Sequence, residues 1–158
     1  MKLSKNGFTL VELIITVSVL MMMVGFSIPI FSKFTQSKTL EKETDKLLDY
    51  FNLARTRAQS ALTDATCTQP FQGYRVSVSA NRYTIDECCS GSCTVVSTIE
   101  LSNNITVTPI NSSVLFKVLS GTNISNVQTY KVTNSDNNSC MYITINSIGL
   151  ISKNTSCP

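Results

Sequence analysis

Three observations predict an α+β fold, with one long N-terminal helix followed by an antiparallel β-sheet domain. Residues 8–31 form an apolar run whose only charge is Glu12. Residues 38–62 turn amphipathic with helical spacing, and beyond residue 62 the apolar period falls towards two. Ser, Thr and Asn dominate that last part and charges are sparse, a composition that suits short strands and polar loops.

The chain has 158 residues and a formal charge of +3, too mild a balance to imply a nucleic-acid partner by itself. It contains no His, which removes the commonest general base and the commonest neutral metal ligand. No Ser-His pair is therefore available, no glycine-rich phosphate loop is present, and no catalytic residue is assigned. The chain is read as a non-enzyme without cofactor. "TNSDNNSC", Thr133 to Cys140, is an Asx-rich turn before it is a calcium loop.

Read as a helix at ~1.5 Å per residue, residues 8–31 extend about 36 Å, enough to cross a hydrocarbon core roughly 30 Å thick. Lys2 and Lys5 precede the run and Lys33, Lys38 and Lys42 follow it, so charge counts do not orient it. The cysteines do. All six, Cys67, Cys88, Cys89, Cys93, Cys140 and Cys157, lie beyond the run, and an even set of this kind favours disulfides in an oxidising compartment. Spacing fits a zinc site poorly, and no metal is expected. The C-terminal part is thus placed outside the cytoplasm. The apolar run does not end in a small-residue signal-peptidase site. The alternative cut lies before it, between Gly7 and Phe8, which would remove "MKLSKNG" and leave the apolar helix in place.

"KNG" followed by "FTLVELIITVSVL" resembles the class III leader and N-terminus of type IV pilins and type II secretion pseudopilins. The resemblance implies a pilin-like fold, with the first half of the helix transmembrane. Residues 1–7 are the cleaved leader, 8–31 the transmembrane or filament-core half, 32–62 the amphipathic half, and 63–158 a disulfide-stabilised head. It implies cleavage by prepilin peptidase after Gly7 and N-methylation of Phe8. Glu12 matches the fifth mature residue, a glutamate in the family that pairs with a neighbour's new N-terminus and helps recruit and register the subunit. A carboxylate in a membrane segment is costly, so Glu12 is a functional candidate on physical grounds as well. Pro29 matches a family proline; it removes one backbone donor and is expected to loosen or kink the helix together with Gly25.

In the second half, Leu40, Leu47, Leu48, Phe51, Ala54, Ala58 and Leu62 form a stripe suited to packing on a sheet. The helix is expected to end near Leu62. "LLDYFNLARTRAQSAL" resembles the helix end of the GspH/FimT group of minor pseudopilins, and Arg55 and Arg57 within it read first as a solvated helix face.

"YRVSVSANRYTIDEC" reads as a hairpin; a two-residue Ala80-Asn81 loop sets Val78 opposite Tyr83 and Val76 opposite Ile85. "CTVVSTIEL", "ITVTPI", "VLFKVL" and "VQTYKVT" are further strand candidates. The last hairpin, "CMYITINSIGLISKNTSC", allows two registers. A three-residue loop with Gly149 left-handed sets Ile145 opposite Ile151 and Cys140 opposite Ser156; a two-residue loop sets Cys140 opposite Cys157. Either brings Cys140 and Cys157 within disulfide reach, for a contribution of roughly 3 kcal/mol. The pairing of Cys67, Cys88, Cys89 and Cys93 stays open.

The function implied is that of a structural subunit, a minor pilin or pseudopilin of a type IV pilus or type II secretion pseudopilus. Its partners would be other subunits, prepilin peptidase, the inner-membrane assembly platform and membrane lipid. A major pilin is one alternative and a DNA-binding minor pilin of natural transformation is another. In some FimT-type proteins a Gly-Arg-x-Arg motif near the C-terminus carries DNA binding; the matching place here is Gly149, Leu150, Ile151 and Ser152, without either arginine. In residues 63–158, Arg75, Arg82, Lys117, Lys131 and Lys153 are balanced by Asp64, Asp86, Glu87, Glu100 and Asp136, which leaves no general electrostatic footprint for DNA.

Overall fold

Apolar residues three and four apart cannot all be satisfied by a helix in water, so the stripe must find a sheet. The computed structural model describes residues 9–63, 67, 70–90, 92–118 and 121–155, with residues 26–30 described by backbone alone. Helix α1 spans Leu10–Gln59. The chain divides into two units, Met1–Thr35 and Gln36–Pro158.

In the first unit the helix begins on Thr9, whose Oγ1 accepts the backbone N–H of Glu12 at 3.3 Å. Thr9 and Glu12 have the spacing of a capping box, and the acidic side chain lies in the first turn, where it complements the helix dipole. The bend expected at Pro29 falls on residues described by backbone alone, over which the α-helix is continuous.

In the second unit the head strands are β1 (Phe71–Val78), β2 (Arg82–Cys89), β3 (Ser92–Glu100), β4 (Ile105–Thr108), β5 (Ser112–Lys117), β6 (Gln128–Asn134), β7 (Cys140–Ile145) and β8 (Ile151–Asn154). Every strand candidate of the sequence is a strand. The antiparallel head is divided into two four-stranded sheets, ordered β3-β2-β1-β5 and β4-β6-β7-β8. Pro109 follows β4 and lacks the N–H that would extend it, and the chain then returns to pair β5 with β1.

Both hairpins follow from their turns. Ser79 N–H donates to Arg82 C=O at 2.8 Å around Ala80-Asn81, and Val78 pairs with Tyr83 and Val76 with Ile85. At the last hairpin Asn146 N–H donates to Leu150 C=O at 3.1 Å, Gly149 has φ +80°, and Ile145 pairs with Ile151. That is the three-residue-loop register; the Cys140 position opposite Ser156 lies outside the described residues.

The inner faces of both sheets meet the helix stripe. Leu40, Leu47, Phe51, Ala54 and Ala58 are buried with Tyr74, Val76, Tyr83, Ile85 and Phe116 from the first sheet and Val107, Tyr130, Val132, Ile143 and Ile145 from the second. Phe51 touches both layers: its ring centroid lies 6.4 Å from Phe116 and 5.2 Å from Tyr130. Leu48 is half-buried against the same core.

Leu62 leaves the stripe and is exposed. The helix stops at Gln59 because Ala61 adopts φ +47°, Leu62 N–H donates to Arg57 C=O at 3.2 Å, and Ala61 N–H donates to Ala58 C=O at 3.2 Å. This pair of bonds is a Schellman cap with alanine in the left-handed position that glycine prefers. The left-handed conformation costs an L-residue about 1–2 kcal/mol, partly offset by the freer unfolded chain that glycine brings. Ala61→Gly is therefore expected to stabilise the protein by about 0.5–1 kcal/mol. Urea unfolding of the two proteins side by side measures it; an unchanged or lower midpoint would reject the cap.

Candidate functional site

The first unit presents apolar side chains on every side of its helix. Leu10, Ile14, Leu20, Met21 and Met22 are all more than half exposed. A helix apolar all round requires an apolar surrounding. Its hydroxyls are suited to one, since Thr16 Oγ1 donates to Leu13 C=O at 2.9 Å and Ser18 Oγ donates to Ile14 C=O at 2.8 Å. Neither needs water. Over residues 9–31 Glu12 is the one charged side chain, and Lys33 follows the apolar run. Among the described residues no helix is long and apolar enough to cross a membrane. Part of the span expected over residues 8–31, namely residue 8 and the side chains of residues 26–30, lies outside those residues, as do Gly7 and Phe8 of the expected cleavage site.

The head is closed by disulfides. Cys88 pairs with Cys93, directly opposite it across β2 and β3, and Cys89 pairs with Cys67 in the connection after the helix. Adjacent strand residues point to opposite faces, which is how neighbouring cysteines serve separate partners. Cys140 is buried and takes part in a disulfide; Cys157, its expected partner, lies outside the described residues. Among the described residues no group of three or more His, Cys, Asp or Glu side chains could hold a metal ion.

Polar anchors also join helix and head. Lys153 on β8 pairs with Asp45, and Asn134 Nδ2 donates to Gln36 C=O at 3.3 Å. Glu43 is buried, accepting from Lys46 Nζ at 2.8 Å and Ser102 Oγ at 3.2 Å. The run "EKETDK" reads as a solvated helix face, so sequence reasoning misses Glu43; its place on the Leu40–Leu47 face was the available signal.

Tyr83 packs edge-on against Tyr50, with ring centroids 5.2 Å apart, and its O–H has no hydrogen-bond partner among the described residues. Burial pushes the Tyr83 phenol up from its ordinary value, with the negative Glu43 adding to the effect.

Arg55 and Arg57 are both half-buried, unlike the solvated pair expected. Arg57 lies over the Tyr74 ring at 5.9 Å, whose O–H donates to Leu62 C=O at 2.9 Å. Arg55 and Lys117 line a cavity of about 30 Å³ beside Gly149, with Gln59, Phe116, Gly121 and Ile148. The sequence motif near Gly149 lacks arginines, yet the fold brings two cations to that turn from α1 and the end of β5.

With this geometry in view, the family model of the prokaryotic N-terminal methylation motif matches residues 2–28. The chain carries a prepilin-type N-terminus. That motif accounts for an otherwise apolar helix with one carboxylate in its first turn, and the α+β fold behind it is pilin-like. No curated protein and no solved structure matches the chain.

Tyr83 gives a test of the interface between helix and head. A phenol raised above its unfolded value near 10 contributes stability that is complete below that pH and is lost as pH rises from there through the raised folded value. Tyr83→Phe should leave neutral-pH stability unchanged or raised by up to about 1 kcal/mol, since an unpartnered buried O–H is removed. It should also make the loss of stability above pH ~10 shallower. Denaturant unfolding at neutral and alkaline pH checks both; a marked loss at neutral pH would show that the hydroxyl is bonded.

Proposed function

We propose that this protein is a structural subunit, a minor pilin or pseudopilin of a type IV pilus or type II secretion pseudopilus. Prepilin peptidase removes residues 1–7 and Phe8 becomes the methylated N-terminus. Residues 8–31 hold the subunit in the cytoplasmic membrane with the head outside, until the assembly platform moves it into the filament.

The observation that carries this reading is Glu12 in the first turn of α1, the one charge in an apolar stretch, residues 8–31, most of which the methylation motif covers. Cleavage leaves an ammonium on Phe8, four residues before the Glu12 carboxylate. In lipid, Glu12 lies near the helix end, where an ionised group costs less than at mid-bilayer. In a bundle of such helices, a neighbour's ammonium and Glu12 attract strongly because little water screens them. The pair is short-ranged and directional, so it fixes axial register as well as contact. Thr9 supports it by capping the same turn.

A second reading, DNA capture by the head, is favoured by Arg55 and Lys117 beside the Gly149 turn. Against it stand the balanced charge of residues 63–158 and the exposed Ile148 and Leu150 on the same turn. A gel shift at low salt separates the readings: salt-sensitive binding would favour DNA, because phosphate contacts release counterions.

Intact mass and N-terminal sequencing of protein from its host should show loss of residues 1–7 and one added methyl on Phe8. Glu12→Val should be cleaved normally yet fall at least about tenfold in sheared filaments, the effect of losing roughly 1.4 kcal/mol of pairing. Full incorporation of the Val variant would reduce the segment to a plain anchor.

A further inference from the structure

We infer that the β7–β8 turn, together with Arg55 and Lys117, is a docking surface for a neighbouring protein subunit that presents a carboxylate flanked by apolar side chains. The inference rests on the subunit reading above and adds the surface and the chemistry of its partner.

The first observation is uncompensated charge. Lys38, Lys46, Arg75 and Lys153 each hold a carboxylate within ion-pair distance. Among the described residues Arg55 and Lys117 hold none, and no acidic side chain lines their cavity. Arg55 is nevertheless half-buried, at a place fixed by the helix register that buries Ala54 and Ala58 on either side of it. Its Nε lies 3.8 Å from the point a Cβ on Gly149 would occupy. The cavity, about 30 Å³, admits one small polar group such as a carboxylate oxygen. A guanidinium is the side chain best shaped to receive that group.

The second observation is apolar. Ile148 is 70% and Leu150 55% exposed, one on each side of Gly149. Single exposed apolar residues are ordinary, but these two flank one cationic cavity. Their turn is rigid as well. Gly149 N–H donates to Asn146 C=O at 2.9 Å, Leu150 N–H to Asn146 Oδ1 at 2.8 Å, and Thr122 N–H to Ser147 C=O at 2.9 Å. A surface held in place in advance loses little entropy on binding.

Cation and apolar tips together select the partner. Nucleic acid would engage Arg55 and Lys117 but would gain little from Ile148 and Leu150 in a head of balanced charge. An acid set among apolar residues on a protein satisfies both, with a charged anchor inside an apolar ring.

The test places a photo-crosslinking amino acid at Ile148 of the full chain in its own host and maps the joined peptide by mass spectrometry. The expected peptide comes from another subunit of the same filament and carries Asp or Glu beside apolar residues. Its yield should fall about tenfold or more in Arg55→Glu and in Lys117→Glu, the size of effect expected for a lost interfacial ion pair. Lys117 is exposed, so its variant does not depend on core packing. Replacing the mapped partner acid by Arg should restore the yield in Arg55→Glu. Crosslinks confined to nucleic acid or lipid, no crosslink at all, or yields unchanged by both charge reversals would overturn the inference. Leader cleavage and methylation are followed in the same samples. An uncleaved chain would overturn the subunit reading itself, whereas a processed chain without the crosslink would overturn only the docking surface.

Discussion

The head depends on Phe51. Its ring contacts Phe116 in one sheet and Tyr130 in the other, and it is fully buried between them. Both sheets contribute buried residues to the core that holds the helix stripe. The stripe of Leu40, Leu47, Phe51, Ala54 and Ala58 is therefore the shared wall of one core. Small residues at 54 and 58 let the sheets approach the last turns closely, and the Schellman cap at Ala61 then turns the chain towards β1. The connection is tied to the end of β2 by Cys67–Cys89.

The N-terminal unit answers a different demand. Its apolar surface has no core of its own to enter, its hydroxyls are satisfied inside the helix, and its single carboxylate stands in the capped first turn. This is chemistry for a segment whose surroundings are apolar. The methylation motif covers this segment alone, and the head lies beyond it. In the head, Arg55 and Lys117, which hold no carboxylate among the described residues, and the apolar turn beside them are features that the packing does not use.

Much of this was legible in the sequence, for local reasons. Short β-prone runs marked the strands, and the Ala80-Asn81 loop set its register, whereas the last hairpin allowed a two- or a three-residue loop and the structure has the latter. Gly7, Phe8 and Glu12 were visible as a motif. What was not legible depends on contacts distant in sequence. The pairing of β1 with β5, which divides the head into two sheets, leaves no mark in either strand alone. The helix stop at Ala61 lacks the glycine that usually announces one. Glu43 looked like one charge among several until Ser102 arrived from the far side of β3. Arg55, Lys117 and Gly149 belong to three separate elements, and only the fold makes them neighbours.

If Phe51 and its stripe join both sheets into one core, the head unfolds as one cooperative unit. Native-state hydrogen exchange of the full chain tests this most directly, by comparing the opening free energies of the amides of Phe51, Tyr74 and Tyr130. The account predicts one common value for all three, equal to the free energy of global unfolding. A Tyr130 amide opening well below Tyr74, with Phe51 following only one of them, would show two separate sheets and contradict it.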